Sequence, residues 1–208
     1  THYLDNEFPG RFLLGLGVSH GETVNAQKPG TYDKPLTAMR EYLDALDAAE
    51  PPVPRDGRVL AALGPKMLEL ARDRSAGAHP YLTTPEHTRF ARGILGEGPL
   101  LAPEQGVIVE PNMGRAHEIA RAHFERYLGM TNYVNNLRRL GFDDFDFENG
   151  GSDRLLHDVF AMGEPIAART RVREHMDAGA DHVCIQVITD DPSRMPLAEW
   201  RALAEVLV

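Results

Sequence analysis

At three places in the chain, small or polar residues end a short apolar run, where backbone and side chains can meet a ligand. Gly15, Gly17, Ser19 and His20 close the run 11–18. His20 can hydrogen-bond a substrate or a cofactor there; the alternative is a partly exposed loop histidine. Leu63-Gly64-Pro65-Lys66-Met67 marks a strand end that becomes a helix start. Free N–H groups and the positive end of the helix dipole favour an anion at such a turn. Gly64 lets the backbone approach that anion closely; the alternative is an ordinary turn. His79-Pro80-Tyr81 closes a weaker run. An imidazole there can donate or accept a proton near neutral pH, or simply pack beside Pro80.

A fourth group, Asn132, Tyr133, Asn135, Asn136 and Arg139, is a polar cluster on one short segment. Arg139 reads as a solvated helix residue. His117 and His123 lie six apart on one helix and do not share a face, and no histidine pair has the HExxH spacing, so no metal is expected. The absence of a GxSxG elbow and of a Walker loop argues against α/β-hydrolase and P-loop chemistry. Cys184 is the single cysteine and lies inside an apolar run, which makes it a core residue. It allows no internal disulfide, in keeping with a reducing cytoplasm.

The elements that must position these groups alternate between strand and helix. Buried strands are expected at 11–18, 59–63, 76–82, 100–109 and 182–188. Helices are expected at 34–49, from Pro65, from Pro85 behind a Thr84 cap, from an Asn112 cap to about 128, at 165–178 and at 197–207. Residues 19–30 read as a loop, and 131–163 as short helices and a loop. Such alternation implies a parallel sheet covered by helices. An open doubly wound sheet is one solution. A (β/α)8 barrel is the other, and a closed barrel typically needs about 250 residues.

Composition bounds the partners. The chain has 208 residues, 42% hydrophobic and 25% charged, with formal net charge −9. This is enough for one core and too little for two large domains. Acids are interspersed among the bases, as in Arg72-Asp73-Arg74, so neither nucleic acid nor an anionic membrane is an expected partner. No apolar run approaches a membrane span, and residues 1–7 show no signal-peptide pattern.

Five segments, in order, resemble the luciferase-like monooxygenase superfamily in its F420-dependent oxidoreductase branch. Phe8-Pro9-Gly10-Arg11-Phe12-Leu13-Leu14-Gly15-Leu16-Gly17-Val18-Ser19-His20 resembles the fourth barrel strand. Arg58-Val59-Leu60-Ala61-Ala62-Leu63-Gly64-Pro65-Lys66-Met67 resembles the fifth strand and its helix. Gly77-Ala78-His79-Pro80-Tyr81 with Thr84-Pro85-Glu86-His87 resembles the sixth unit. Asn132-Tyr133-Val134-Asn135-Asn136-Leu137-Arg138-Arg139-Leu140-Gly141-Phe142 resembles the insertion before the last strand. Asp177-Ala178-Gly179-Ala180-Asp181-His182-Val183 resembles the approach to the eighth strand.

The resemblance implies a (β/α)8 TIM barrel of the bacterial luciferase-like type, incomplete, with strands four to eight present. Residues 1–208 would form one domain lacking about three N-terminal βα units, with an insertion at 129–163. It implies coenzyme F420, with FMN as the alternative, and hydride transfer to or from a small organic substrate. Gly15, Gly17, Leu63, Gly64, Pro65, Lys66, Met67, His79, Pro80 and Tyr81 would bind the cofactor, with its phosphate at the Gly64 turn and its ring near Gly17. His20 would be catalytic, and Ser19, Tyr133 and Asn136 would line the substrate pocket. The insertion borders a subunit contact in that family, and an incomplete barrel exposes edges that a second copy can cover, so a cytoplasmic homodimer is expected. Two departures stand out. The chain starts in the helix before strand four, so the family's catalytic polar residue and cis peptide on earlier strands have no counterpart here. Ser75 also stands where relatives usually carry Asp. A shortened barrel that binds a flavin-like ligand without catalysis, or only pairs with another subunit, is the competing expectation.

Overall fold

The computed structural model describes residues 2–30 and 32–208. A short helix, α1 (His2–Glu7), leads to strand β1 (Leu14–Leu16), helix α2 (Gly21–Gln27) and helix α3 (Pro35–Asp47). Strand β2 (Arg58–Leu60) passes into α4 (Pro65–Arg74), and β3 (Gly77–Ala78) into α5 (Pro85–Leu95). Strands β4 (Leu100–Leu101) and β5 (Glu104–Val109) follow, then the long α6 (Met113–Leu128). The insertion holds α7 (Thr131–Arg139), a 3-10 segment (Asp144–Gly150), α8 (Asp153–Val159) and strand β6 (Phe160–Gly163). Helix α9 (Pro165–Asp177), strand β7 (Cys184–Val187) and α10 (Leu197–Leu207) complete the chain. No helix among the described residues is long and apolar enough to cross a membrane.

All strand pairs are parallel. One sheet has the order β1-β2-β3-β4 and the other β6-β5-β7. Backbone bonds make them one curved surface. Ala102 N donates to Ala78 O at 3.0 Å, Glu104 N to Pro80 O at 2.9 Å and Cys184 N to Pro103 O at 2.9 Å. Thus β4 and β5 act as one bent strand between β3 and β7. Strand β6 joins β5 only from Gly106 onward, beyond the end of β3.

Helices cover the sheet because their apolar positions recur at helical spacing. Leu43 of α3, Leu68 and Ala71 of α4, and Ala91 and Leu95 of α5 pack against Leu16, Leu60, Ala78 and Leu101. Each fully buried leucine contributes about 2 kcal/mol. Ala168 of α9 and Leu203 of α10 cover Val107 and Ala161. A third cluster joins α6, α7 and α8 to Ile108, Phe160 and Ile188. The caps expected from sequence are present. Pro65 and Pro85 occupy first-turn positions, Thr84 accepts from His87 N, and Asn112 accepts from Arg115 N.

Two stretches differ from expectation. Residues 19–30 are not only loop, because they contain α2. That helix buries none of its residues, so it leaves no apolar period to read. Polar contacts hold it: Glu22 Oε1 accepts from Thr131 N at 3.0 Å and Thr131 Oγ1 at 2.7 Å. Within 131–163, residues 160–163 form strand β6. A four-residue apolar run cannot be assigned by periodicity alone; pairing with β5 decides it.

Candidate functional site

The ends of β1, β2 and β3 open on one side of the sheet, and the start of α7 faces them. Together they enclose a cavity of about 400 Å³, a typical size for a small-molecule site. Gly17, Ser19 and His20 reach it from β1, Leu63, Gly64 and Met67 from the β2–α4 turn, and His79 and Tyr81 from β3. Asn132 and Tyr133 close it from α7.

Each wall has a local cause. Beyond β1, Ser19 takes a left-handed backbone at φ 60°, an uncommon conformation for a residue with a side chain. Its carbonyl accepts from Tyr32 Oη at 3.1 Å. His20 then stands where its Nδ1 lies 3.0 Å from Asn132 Oδ1 and its ring 5.2 Å from that of Tyr133. Asn132 Oδ1 accepts, so Nδ1 carries a proton and Nε2 is the nitrogen left for a ligand.

At the second turn, Gly64 precedes α4 with extended backbone and no side-chain cap; Pro65 has no N–H and Met67 N donates to Gly64 O at 3.1 Å, which leaves the Lys66 amide for another acceptor. The Arg139 guanidinium lies against this turn, its Nη2 3.7 Å from where a Gly64 Cβ would sit. Arg139 Nη1 donates to Asn136 Oδ1 at 3.0 Å, and the buried Asn136 Nδ2 has no partner among the described residues. Behind the turn, His87 Nε2 donates to Leu63 O at 2.9 Å, which leaves its buried Nδ1 unpartnered. Burial, and then the Arg139 charge, push the His87 pKa down to about 4, so the ring is neutral.

The third wall is a hydroxyl chain. Arg126 Nη2 donates to Tyr127 Oη at 2.6 Å, Tyr127 and Tyr81 Oη are 2.6 Å apart, and Tyr81 donates to Gln186 Oε1 at 3.0 Å. The rings of Tyr81, Tyr127 and Tyr133 pack with centroids 5.2 to 6.0 Å apart. Burial pushes the Tyr81 phenol up and that of Tyr133 up to about 12. Both stay protonated. His79 Nδ1 donates to Ala102 O at 2.6 Å, which fixes its ring at the rim.

A second cavity of about 730 Å³ lies beyond this wall, between β7 and α6. Glu104, His123, Arg126 and Gln186 line it. Tyr81 therefore faces the first cavity while its hydroxyl bonds a residue of the second. Burial raises the Glu104 carboxyl to about 8 and lowers His123 to about 4.

Other residues singled out from sequence lie elsewhere. Gly15 lines a separate groove of about 380 Å³ between β1 and α3. Pro65 and Lys66 are exposed on the first turn of α4, and Pro80 is buried beneath the rim. Asn136 is buried behind Arg139. Cys184 is half-buried and free. Among the described residues, no group of three or more His, Cys, Asp or Glu side chains is arranged to hold a metal ion.

Arg139 is exposed, as read from sequence, yet lies against the Gly64 turn; sequence reasoning passed over Glu104, Arg126 and Gln186 and gave His123 no role. Polar residues interrupting an otherwise apolar strand, Glu104 and Gln186, were the available signal.

No family model and no curated protein matches the chain. Solved structures do. An F420-dependent secondary alcohol dehydrogenase in complex with an F420-acetone adduct superposes with TM-score 0.67 at 13% identity, over 98% of this chain and 71% of that one. Coenzyme F420 dependent tetrahydromethanopterin reductase from Methanopyrus kandleri gives 0.63 at 16%, over 86% and 68%. The apo form of MsnO8 gives 0.60 at 20%, over 98% and 70%. The fold is that of these structures, a (β/α) barrel arrangement of which the chain covers 68–71%, rather than an open doubly wound sheet. The rim of Gly17, Gly64 and Tyr81 lies at the strand C-terminal ends, the face that carries active sites in such barrels.

Proposed function

We propose that this chain forms most of a coenzyme F420-dependent oxidoreductase domain of the luciferase-like superfamily, with the deazaflavin in the cavity between the strand tips and α7. The observation that carries this reading is the convergence of three strand ends on one cavity, with Arg139 set against the Gly64 turn. Two structural neighbours are described as F420-dependent, which supports the choice of cofactor.

The residues suit an anionic, flat ligand. The Lys66 amide in the first turn of α4, the dipole of that helix and the Arg139 guanidinium form an anion site. Asn136, buried behind Arg139, accepts from it and holds the guanidinium against that turn. Gly17 lets the ring approach β1 closely, and His79 and Tyr81 shape the opposite side. When bound, the deazaflavin supplies hydride transfer to or from carbon. The tyrosine rings exclude water from the reacting centre. Ser19 and Tyr133 border the space left for a small organic substrate. A carbonyl reduced there takes up a proton, and an alcohol oxidised there gives one up; His20 Nε2 exchanges it while Asn132 fixes the ring. Strands β1 and β7 each have one neighbour in the sheet, and a second copy of the chain covering them makes a homodimer.

The test is a fluorescence titration of the purified protein with F420 and, separately, FMN. Saturable F420 binding at least about ten-fold tighter than FMN is expected, a difference of about 1.4 kcal/mol. Tighter FMN binding would make the domain a flavin enzyme. Binding of neither would remove the proposal.

A further inference from the structure

His117 and His157 are 40 residues apart in sequence, on α6 and α8, yet their Nε2 atoms are 3.1 Å apart. The rings stand nearly perpendicular, at 87°, with centroids 5.0 Å apart. The pair lies between α6 and α8 and takes no part in the proposed coenzyme site. Asp153, in the first turn of α8, faces the other side of His117, with Oδ1 3.6 Å from Nδ1. Asp153 is itself paired with Arg121. Arg171 donates to the carbonyls of His157 and Asp158 at 2.7 and 2.6 Å, which anchors the end of α8 that carries His157.

We infer that His117 and His157 form a two-imidazole site for a borderline divalent transition ion such as Zn²⁺ or Cu²⁺. Metal–imidazole bonds are about 2.0–2.1 Å, so adjacent nitrogens on one ion lie about 2.9 Å apart in a square plane and about 3.3 Å apart in a tetrahedron. The observed spacing falls between these values. Asp153 Oδ1, 3.6 Å from His117 Nδ1, is beyond hydrogen-bond length; the 3.1 Å contact between the two Nε2 atoms requires one of them to turn a lone pair toward the other. His157 is exposed, so water completes the coordination and the ion enters from solvent. Two protein ligands give a weak, exchangeable site that staples α6 to α8. The sequence could not reveal it, because neither histidine has a partner at metal-binding spacing on its own helix.

The test is Zn²⁺ titration of the EDTA-treated protein, followed by calorimetry and by imidazole Cε1–H NMR. One site is expected, with the His117 and His157 resonances moving together. His157→Ala, an exposed change that leaves the core intact, should weaken that site at least ten-fold, and His117→Gln should do the same. Chelation should reverse a Zn²⁺-induced rise in Tm in the wild type but not in either variant. Three results each overturn the inference: Zn²⁺ binding unaltered in His157→Ala, movement of only one of the two rings, or no movement of either at millimolar Zn²⁺. The last would leave the pair as a simple imidazole–imidazole hydrogen bond.

Discussion

Gly17 and Gly64 bring backbone to the pocket, whereas Asn132 and Tyr133 reach it with side chains from an inserted helix whose Arg139 lies against the Gly64 turn. The strand tips are fixed by the sheet. Their geometry follows from short-range chemistry: a run of apolar residues, a glycine, then a proline-started helix. The insertion is fixed by distant partners. His20 meets Asn132 across 112 positions, and Glu22 meets Thr131 across 109. One region supplies a rigid cradle of amides, and the other supplies charge and aromatic cover. Substitutions in the first should therefore act on folding, and charge substitutions in the second on binding.

The strongest way to break this division is at β3. A Cβ on Gly77 would lie 1.9 Å from Leu100 O, a backbone atom that can move only if β4 leaves β3. Gly77→Ala should cost about 4 kcal/mol or more, read as a lowered urea midpoint with loss of ligand binding as a consequence. A mild effect would mean that β3 and β4 are not held as described.

Glu104 sharpens the comparison because it underlies the tyrosine wall. Burial raises its folded pKa to about 8, above the ordinary 4.5 of a glutamate. The folded state thus holds the proton more tightly than the unfolded state. Stability is lost as pH rises from about 4.5 through 8 and levels off above that. Glu104→Gln removes the loss. Discounted for partial exposure, the variant should gain about 2 kcal/mol over the wild type at pH 9 and almost nothing at pH 4. Denaturant unfolding at both pH values checks this.

Arg139→Ala separates binding from folding. It should weaken F420 about ten-fold, about 1.4 kcal/mol, with a smaller salt dependence of affinity, and change stability by no more than about 0.5 kcal/mol. Equal losses in both would place Arg139 among the folding residues instead. The smallest effect is expected from Tyr81→Phe. It removes the bonds to Tyr127 and Gln186, yet Arg126 still serves Tyr127. A cost of about 1 kcal/mol by thermal unfolding is expected.

The same division governs what could be read from sequence. The caps at Thr84 and Asn112 and the proline starts at 65 and 85 are local, and the structure has them where the sequence puts them. Convergence of Gly17, Gly64 and Tyr81 follows once the strands are parallel, because parallel strands end on the same side. Helix α2 has no apolar face, and β6 is too short to announce itself, so both depend on partners far along the chain. Arg139 read as solvated because its own helix offers it no charge partner. Its place against Gly64 is a property of how the insertion docks.

The most direct test of the central claim is amide chemical-shift mapping of the ¹⁵N-labelled protein as F420 is added. The account predicts that the amides of Gly17, Gly64, Lys66 and Tyr81 shift together, with the Asn136 side-chain amide and the Arg139 Nε–H moving on the same isotherm. Shifts confined to the groove of Gly15 and Tyr42, or to one strand tip without the others, would contradict it.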